Sequence, residues 1–363
     1  YILLPVLGAK WSLLVLVTPF IFIHFLVVQK LGRRWVSRLS LLAASLMIVF
    51  SLVFSRTLED VSYYKKRYSD VMLRRDYAAT VISYHESAGD PMTDRLLVNG
   101  VGITHKTTIT KLMAHLPMYY HGPSVENTLV ICFGMGTTLR AMASWGVPVT
   151  AIELIPSVKE AFPYYFSDAE EVLSEPGVEV IIDDGRRYLR RTNRKFDVIT
   201  IDPPPPVESA ASSLLYSVEF YSLAASRLSE KGILQQWYPE EEGVVLEAML
   251  GSLVKIFPHV RVFRSIEGWG YHFLASKSLI PEKNMDYVAD ELPERVFNDL
   301  AEWIPKEEVP TLFSKMEEIP VEVILAGSKP SIWISDDWPM NEYFFLRRGR
   351  EFFARALTKR KTW

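Results

Sequence analysis

Six residues at the ends of four apolar runs have the types and spacing to hold one ligand. Gly134 and Gly136 fall where LVICFGMGTTLR turns into a helical pattern. Glycines at such a turn let backbone approach a ligand closely, and the start of the next helix adds partial positive charge. Glu153 closes the next apolar run, about 20 residues on, where a carboxylate is placed to accept hydrogen bonds from ribose hydroxyls. The run VEVII leads into Asp183, Asp184 and Gly185, and the Asp184 carboxylate can accept from an exocyclic adenine amine. FDVITI ends in Asp202, followed by Pro203 to Pro206, which fix φ and remove donors. These prolines suit a stiff loop beside a site or a plain rigid connector. Cys132 stands at the first glycine of a dinucleotide fingerprint, so a full GxGxxG is absent.

The elements that must position these residues follow from the pattern around them. Apolar runs at 128–133, 149–152, 178–182, 197–201 and 232–236 alternate with helical stretches, predicting βαβ units on a largely parallel sheet. Ligands on such sheets lie outside the carboxyl ends of the strands, which would gather Gly134, Glu153, Asp184 and Asp202. Two short β-type runs, 77–84 and 95–99, flank a turn-forming stretch and predict a small β-hairpin domain. Tyr216, Phe220 and Tyr221 have helical spacing and suit a core, although Tyr216 lies close to the proline loop. His85, Glu86, His105 and Lys111 read as surface or hairpin residues, or as the lining of an acceptor site. Asp336 and Asp337 lack a third ligand at useful spacing, so no metal is expected.

Residues 11–29 contain no charged side chain, and about 20 apolar residues suffice for an α-helix to cross a bilayer. With 39–54 they predict a transmembrane helical hairpin and the lipid bilayer as a partner. Basic residues flank both ends. The larger group, Arg56, Lys65, Lys66, Arg67, Arg74 and Arg75, follows the second span, which predicts a soluble domain on the cytoplasmic side of the membrane. The formal net charge of −3 argues against a general nucleic-acid binder. The single cysteine excludes an internal disulfide. The chain begins at Tyr1 rather than Met, so either the start was removed or further residues precede it.

The order of LVICFGMGTTLR, AIELIPSVKEAF, VEVIIDDGRRYLR, FDVITIDPPPP and SSLLYSVEFYSLAASRLSEKGILQQW resembles spermidine synthases, the aminopropyltransferase family. It is most similar to the bacterial group in which this domain is joined to membrane helices. RLLVNGVGITHKT and ISDDWPMNEYFFLR resemble that group's opening hairpin and C-terminal motif, and the likeness covers about residues 77–348. The resemblance implies a Rossmann-like, S-adenosylmethionine-dependent transferase fold. It divides the chain into a hairpin at 1–56, a connector at 57–76, the small β-hairpin domain at 77–122, the transferase domain at 123–348 and a basic tail at 349–363.

It further implies an enzyme that moves an aminopropyl group from decarboxylated S-adenosylmethionine to a small amine, without a metal. Glu153 would hold the ribose, Asp184 the adenine, and Asp202 would orient or deprotonate the amine. Three positions depart from the family. Met135 replaces an aspartate of the glycine turn, Pro205 replaces a second aspartate, and Glu208 stands for a glycine. Glu208 and Tyr216 are the candidates for binding the acceptor. The departures leave two alternatives: a small-molecule methyltransferase using S-adenosylmethionine itself, and a non-catalytic scaffold subunit among integral membrane partners. A homo-oligomer is a further expectation.

Overall fold

The computed structural model describes residues 2–30, 34–54, 61–87, 90–203, 207, 209–239, 242–327 and 330–343. Pro205, Glu208 and the basic tail at 349–363 lie outside the described residues. The chain forms two units, residues 1–106 with 155–167, and residues 107–154 with 168–363.

The first unit opens with helices α1 (Leu3–Lys30) and α2 (Arg34–Phe54). Phe20, Phe22 and Ile23 of α1 and Leu42, Leu46 and Phe50 of α2 are exposed. Among the described residues no helix is long and apolar enough to cross a membrane, so the transmembrane reading rests on the sequence. After a short helix, α3 (Val61–Lys65), come β1 (Ser69–Arg75), β2 (Thr80–His85), β3 (Asp94–Val98) and β4 (Val101–His105). They form an antiparallel sheet in that order.

The stretch read as a connector therefore supplies the first strand. Val71 and Leu73 of β1 pack against Tyr64, Ile82, Tyr84 and Leu97. β3 and β4 meet in a two-residue turn at Asn99 and Gly100, both at positive φ, which matches the twist of paired strands. The small domain expected to run to residue 122 gives way to the second unit at Thr107.

The second unit is built on an eight-stranded sheet. Its elements in chain order are α4 (Thr108–His121), β5 (Thr128–Ile131), α5 (Thr137–Ala143), β6 (Val149–Glu153), α6 (Ala169–Ser174), β7 (Val178–Ile182) and α7 (Gly185–Arg191). There follow β8 (Phe196–Ile201), α8 (Val218–Arg227), β9 (Leu228–Tyr238), α9 (Gly243–Ile256), β10 (His259–Arg264), β11 (Tyr271–Ser276), α10 (Glu294–Ala301) and β12 (Glu317–Glu318). The strand order is β12-β10-β11-β9-β8-β5-β6-β7. β7, β6, β5, β8 and β9 are parallel, and β11, β10 and β12 run antiparallel at the far edge.

β5 and β8 are buried along most of their length, as strands covered by helices on both faces must be. The order reverses between β5 and β8, because the chain winds from β5 outward through β6 and β7 and then returns to the other side. In open α/β sheets a reversal of this kind is where ligands lie, here at the carboxyl ends of β5 and β8.

Candidate active site

Register fixes which side chains share this crevice. Ile131 pairs with Ile152 on one side and Ile201 on the other, and Ile152 pairs with Ile181. One residue further along each strand come Cys132, Glu153 and Asp202, with Asp183 and Asp184 just beyond β7. Four strand ends thus meet at one level. Backbone bonds extend the ladder there: Cys132 N–H donates to Ile152 O at 3.0 Å, Asp183 N–H to Glu153 O at 3.0 Å and Asp202 N–H to Ile131 O at 3.1 Å.

The turn after β5 is bent by three alternate residues with positive φ. Cys132, Gly134 and Gly136 all have positive φ, at 71°, 56° and 87°. Cys132 adopts the left-handed conformation that a glycine would take at the first position of a dinucleotide fingerprint, a conformation uncommon for a side chain bearing a Cβ. Gly136 caps α5 in the same conformation and donates its N–H to Phe133 O at 2.8 Å. Phe133 N–H donates to Glu153 Oε2 at 2.9 Å, which ties the glycine turn to the acid of the neighbouring strand. Met135 points inward and is buried.

Asp202 is half-buried, with its carboxylate at the base of the crevice. Desolvation, assisted by the nearby negative charge of Glu153, pushes its pKa up from 3.8 to about 7, while the Thr138 hydroxyl, donating at 3.4 Å, opposes the rise. A carboxyl group poised there can take a proton near neutral pH. Burial likewise pushes the Cys132 thiol up, with Glu153, Asp202 and Asp184 adding to the shift.

Asp184 is exposed and serves as the N-cap of α7, where its Oδ1 accepts from Arg187 N–H at 2.7 Å. The cap fixes the direction of the carboxylate at the rim. Gly185 has a different role from close approach to a ligand: an added Cβ would stand 2.5 Å from Ile131 Cγ2. Its missing side chain lets α7 settle on β5. Gly185→Ala should lower stability by about 1–3 kcal/mol, the usual cost of overpacking, read from chemical denaturation. An unchanged midpoint would show that Ile131 moves aside freely.

Tyr216 was the other candidate for the acceptor. Its ring belongs to the main core with Phe220 and Tyr221, while its buried hydroxyl has no hydrogen-bond partner among the described residues. Burial raises its pKa, and the charge of Asp202 is among the further causes. The residue is thus core by its ring and borders the crevice by its oxygen.

Lys111 is buried, donating to Glu302 at 2.8 Å and pairing with Asp299 at 3.2 Å, so it holds α4 to α10 and does not line an acceptor site. In the first unit His85 pairs with Asp94, which also holds Lys106 at 2.9 Å, and Glu86 pairs with Arg95. Asp336 takes a bidentate hydrogen bond from Arg186, a structural contact. Among the described residues no group of three or more His, Cys, Asp or Glu is arranged for a metal ion.

Two contributors had only faint signals in the sequence. Thr138 lies in the first turn of α5, where a hydroxyl can face the strand ends. Leu154 follows the strand-end acid and stays 57% exposed, an apolar side chain at the end of β6.

Comparison with known proteins places the second unit's fold and part of its sequence among spermidine synthases. Residues 106–274 match the model of the spermine/spermidine synthase domain. A polyamine aminopropyltransferase of Alkaliphilus metalliredigens is 31% identical over 185 residues, covering 48% of this chain and 64% of the relative. The corresponding protein of Thermococcus kodakarensis is 39% identical over 131 residues, covering 34% and 44%. That of Thermotoga maritima is 30% identical over 196 residues, covering 51% and 63%. The chain thus spans less than two thirds of the length of these relatives. The crystal structure of the Thermotoga maritima spermidine synthase superposes with a TM-score of 0.50 at 22% identity, covering 64% of this chain and 88% of that one, and shares its fold. A spermidine synthase in complex with the transition-state analogue AdoDATO superposes equally well, at 21% identity.

Proposed function

We propose that this protein, whose residues 106–274 match the spermine/spermidine synthase domain, transfers an aminopropyl group from decarboxylated S-adenosylmethionine to a small amine. The observation that carries the reading is Asp202, a carboxyl group with its pKa near 7, at the level of Glu153 and beside the glycine turn. Glu153 accepts from the ribose hydroxyls and Asp184 from the adenine amine. The amine nitrogen attacks the methylene carbon next to the sulfonium, the new C–N bond forms as the C–S bond breaks, and methylthioadenosine leaves. Asp202 takes the proton released by the amine. The sulfonium is already a good leaving group, so the residues supply alignment and a proton acceptor.

The test is incubation with decarboxylated S-adenosylmethionine and, separately, S-adenosylmethionine, each with putrescine or a monoamine, with products read by mass spectrometry. Methylthioadenosine with an aminopropylated amine supports the reading. Methyl transfer alone favours a methyltransferase, and failure to bind either donor leaves a scaffold.

The tether belongs to the same proposal: α1 and α2 hold the domain at a membrane, with the domain on the cytoplasmic side, as in the membrane-joined group. The uncharged run at 11–29 and the exposed Phe20, Phe22, Leu46 and Phe50 support it. The protein should stay with vesicles after an alkaline carbonate wash, and a chain starting at residue 57 should not. Release of the longer chain by the wash would dismiss the tether.

A further inference from the structure

The motif ISDDWPMNE lies far along the chain from the strand ends, yet its contacts converge on the loop that follows Asp202. Asn341, fully buried, donates from Nδ2 to Val207 O at 2.7 Å and to Ser212 Oγ at 2.9 Å. Ser212 Oγ itself donates to Val207 O at 2.5 Å, closing a small ring of three groups. Glu342 Oε1 accepts from Ser213 N–H at 3.1 Å and from its hydroxyl. Asp336 accepts from Ser217 Oγ at 2.7 Å and from Arg186 in the first turn of α7. Val218 N–H donates to Ile334 O at 2.9 Å.

The segment is seated from behind as well. Ile334 N–H donates to Ser252 Oγ at 2.8 Å, and an added Cβ on Gly251 would stand 2.1 Å from Ile332 O. One strap therefore rests on α9, pins the start of α8, holds the helix capped by Asp184, and ends against Val207, Ser212 and Ser213.

We propose that residues 332–342 form a strap that positions Val207 and residues 212–217 on the way from Asp202 to α8, with Asn341 and Glu342 as its positioning residues. The inference rests on the transferase reading only where it concerns turnover. The loop runs from the base, Asp202, to α8, and it can border a bound amine only if it is held in place. Among the described residues of this stretch, the strap bonds the Val207 carbonyl and the Ser212–Ser213 pair. The donor side rests on the glycine turn, Glu153 and Asp184, and among the described residues the strap's hydrogen bonds reach that side at Arg186. Loosening the strap at Asn341 should therefore disturb the acceptor half of the crevice and spare the donor half.

The experiment compares Asn341→Ala, Asn341→Asp, Glu342→Ala and Glu342→Gln in the full chain. Amide hydrogen exchange reads the loop without any turnover. Protection at 212–217 should fall about tenfold or more in both Asn341 variants and in Glu342→Ala, with β8 and β9 unchanged, because local opening exchanges independently of the core. Glu342→Gln keeps an acceptor for Ser213 and should behave like the unaltered protein. With putrescine or a monoamine as probe, kcat/KM for the amine should fall about 100-fold in Asn341→Ala, the order expected for a displacement of about 1 Å near the reacting groups. Methylthioadenosine affinity, measured by calorimetry, should stay within about threefold, since the donor contacts are left in place.

Unchanged exchange at 212–217 would overturn the proposal. So would a parallel loss of methylthioadenosine binding and of β8 and β9 protection, which marks a general stability role. If Asn341→Ala does not fold, the two Glu342 variants carry the same comparison. If the unaltered protein shows no aminopropyl transfer, the transferase reading fails and the exchange result alone decides the strap.

Discussion

Asp202→Asn is expected to cut kcat by about 10²–10⁴, the usual contribution of a positioned base, while methylthioadenosine binds almost as before. The amide keeps the shape and the contact with Thr138 but has no lone-pair site basic enough to take the amine proton. In the unaltered protein only ionised Asp202 can act, so kcat/KM should rise with pH through a midpoint near 7 and level off above it. The same group ties activity to stability, with a definite sign. Its folded pKa is about 7 against 3.8 for a free aspartate, so between those values the folded state holds a proton that the unfolded state has lost.

Stability therefore declines as pH rises through that window. Above it, the desolvated charge lowers stability by a few kcal/mol at most, since the half-buried carboxylate keeps some screening by water, at about 1.4 kcal/mol per unit. Asp202→Asn should consequently be more stable than the unaltered protein at pH 8 and lose that advantage toward pH 4. A variant inactive and also destabilised at pH 8 would mean that Asp202 is a structural acid, and the proposed chemistry would have no base.

The strand ends were legible because a parallel strand buried on both faces must be a short apolar run, and whatever polar residue stops it is left at the sheet's edge. Glu153 and Asp202 stand out in this way, and register then brings them level. The antiparallel edge was harder to see. β10, HVRVFR, alternates with arginines and reads as weakly as any surface segment, and β12 is two glutamates paired across to Arg264 and Phe263. β1 reads as a connector because its short apolar stretch, Val71 to Leu73, lies between polar and basic residues, and Val71 and Leu73 find their partners only when the sheet has formed.

Gly185 looked like a residue that admits a ligand, whereas the space it leaves is filled by Ile131. Lys111 looked like a surface cation, whereas its partners Asp299 and Glu302 lie near the other end of the chain. Asn341 meets Val207 across 134 positions, and no local pattern reports such a contact. What the sequence conveys well is therefore the level of each strand end. Which neighbour a side chain finds from a distant segment is set by packing, and it became visible only in the folded chain.

Removing the other central acid tests the donor side. Glu153→Ala should weaken methylthioadenosine binding by at least about 100-fold, since hydrogen bonds to a charged group are worth about 1.5–3 kcal/mol each and two ribose hydroxyls would lose their acceptor. The substitution also removes the carboxylate that accepts from Phe133 N–H, so the glycine turn loses one of its bonds to β6. Glu153→Gln separates these effects. Its side-chain oxygen can still accept from Phe133, but its charge is gone, and binding should weaken by only about tenfold. The two acids are also coupled: the charge of Glu153 helps to raise the pKa of Asp202, so neutralising it should move the rising limb of the pH profile to lower pH. A donor affinity that survives Glu153→Ala would place the adenosyl group elsewhere. A limb that stays put in Glu153→Gln would assign the raised pKa of Asp202 to burial alone, leaving the two strand ends electrostatically independent.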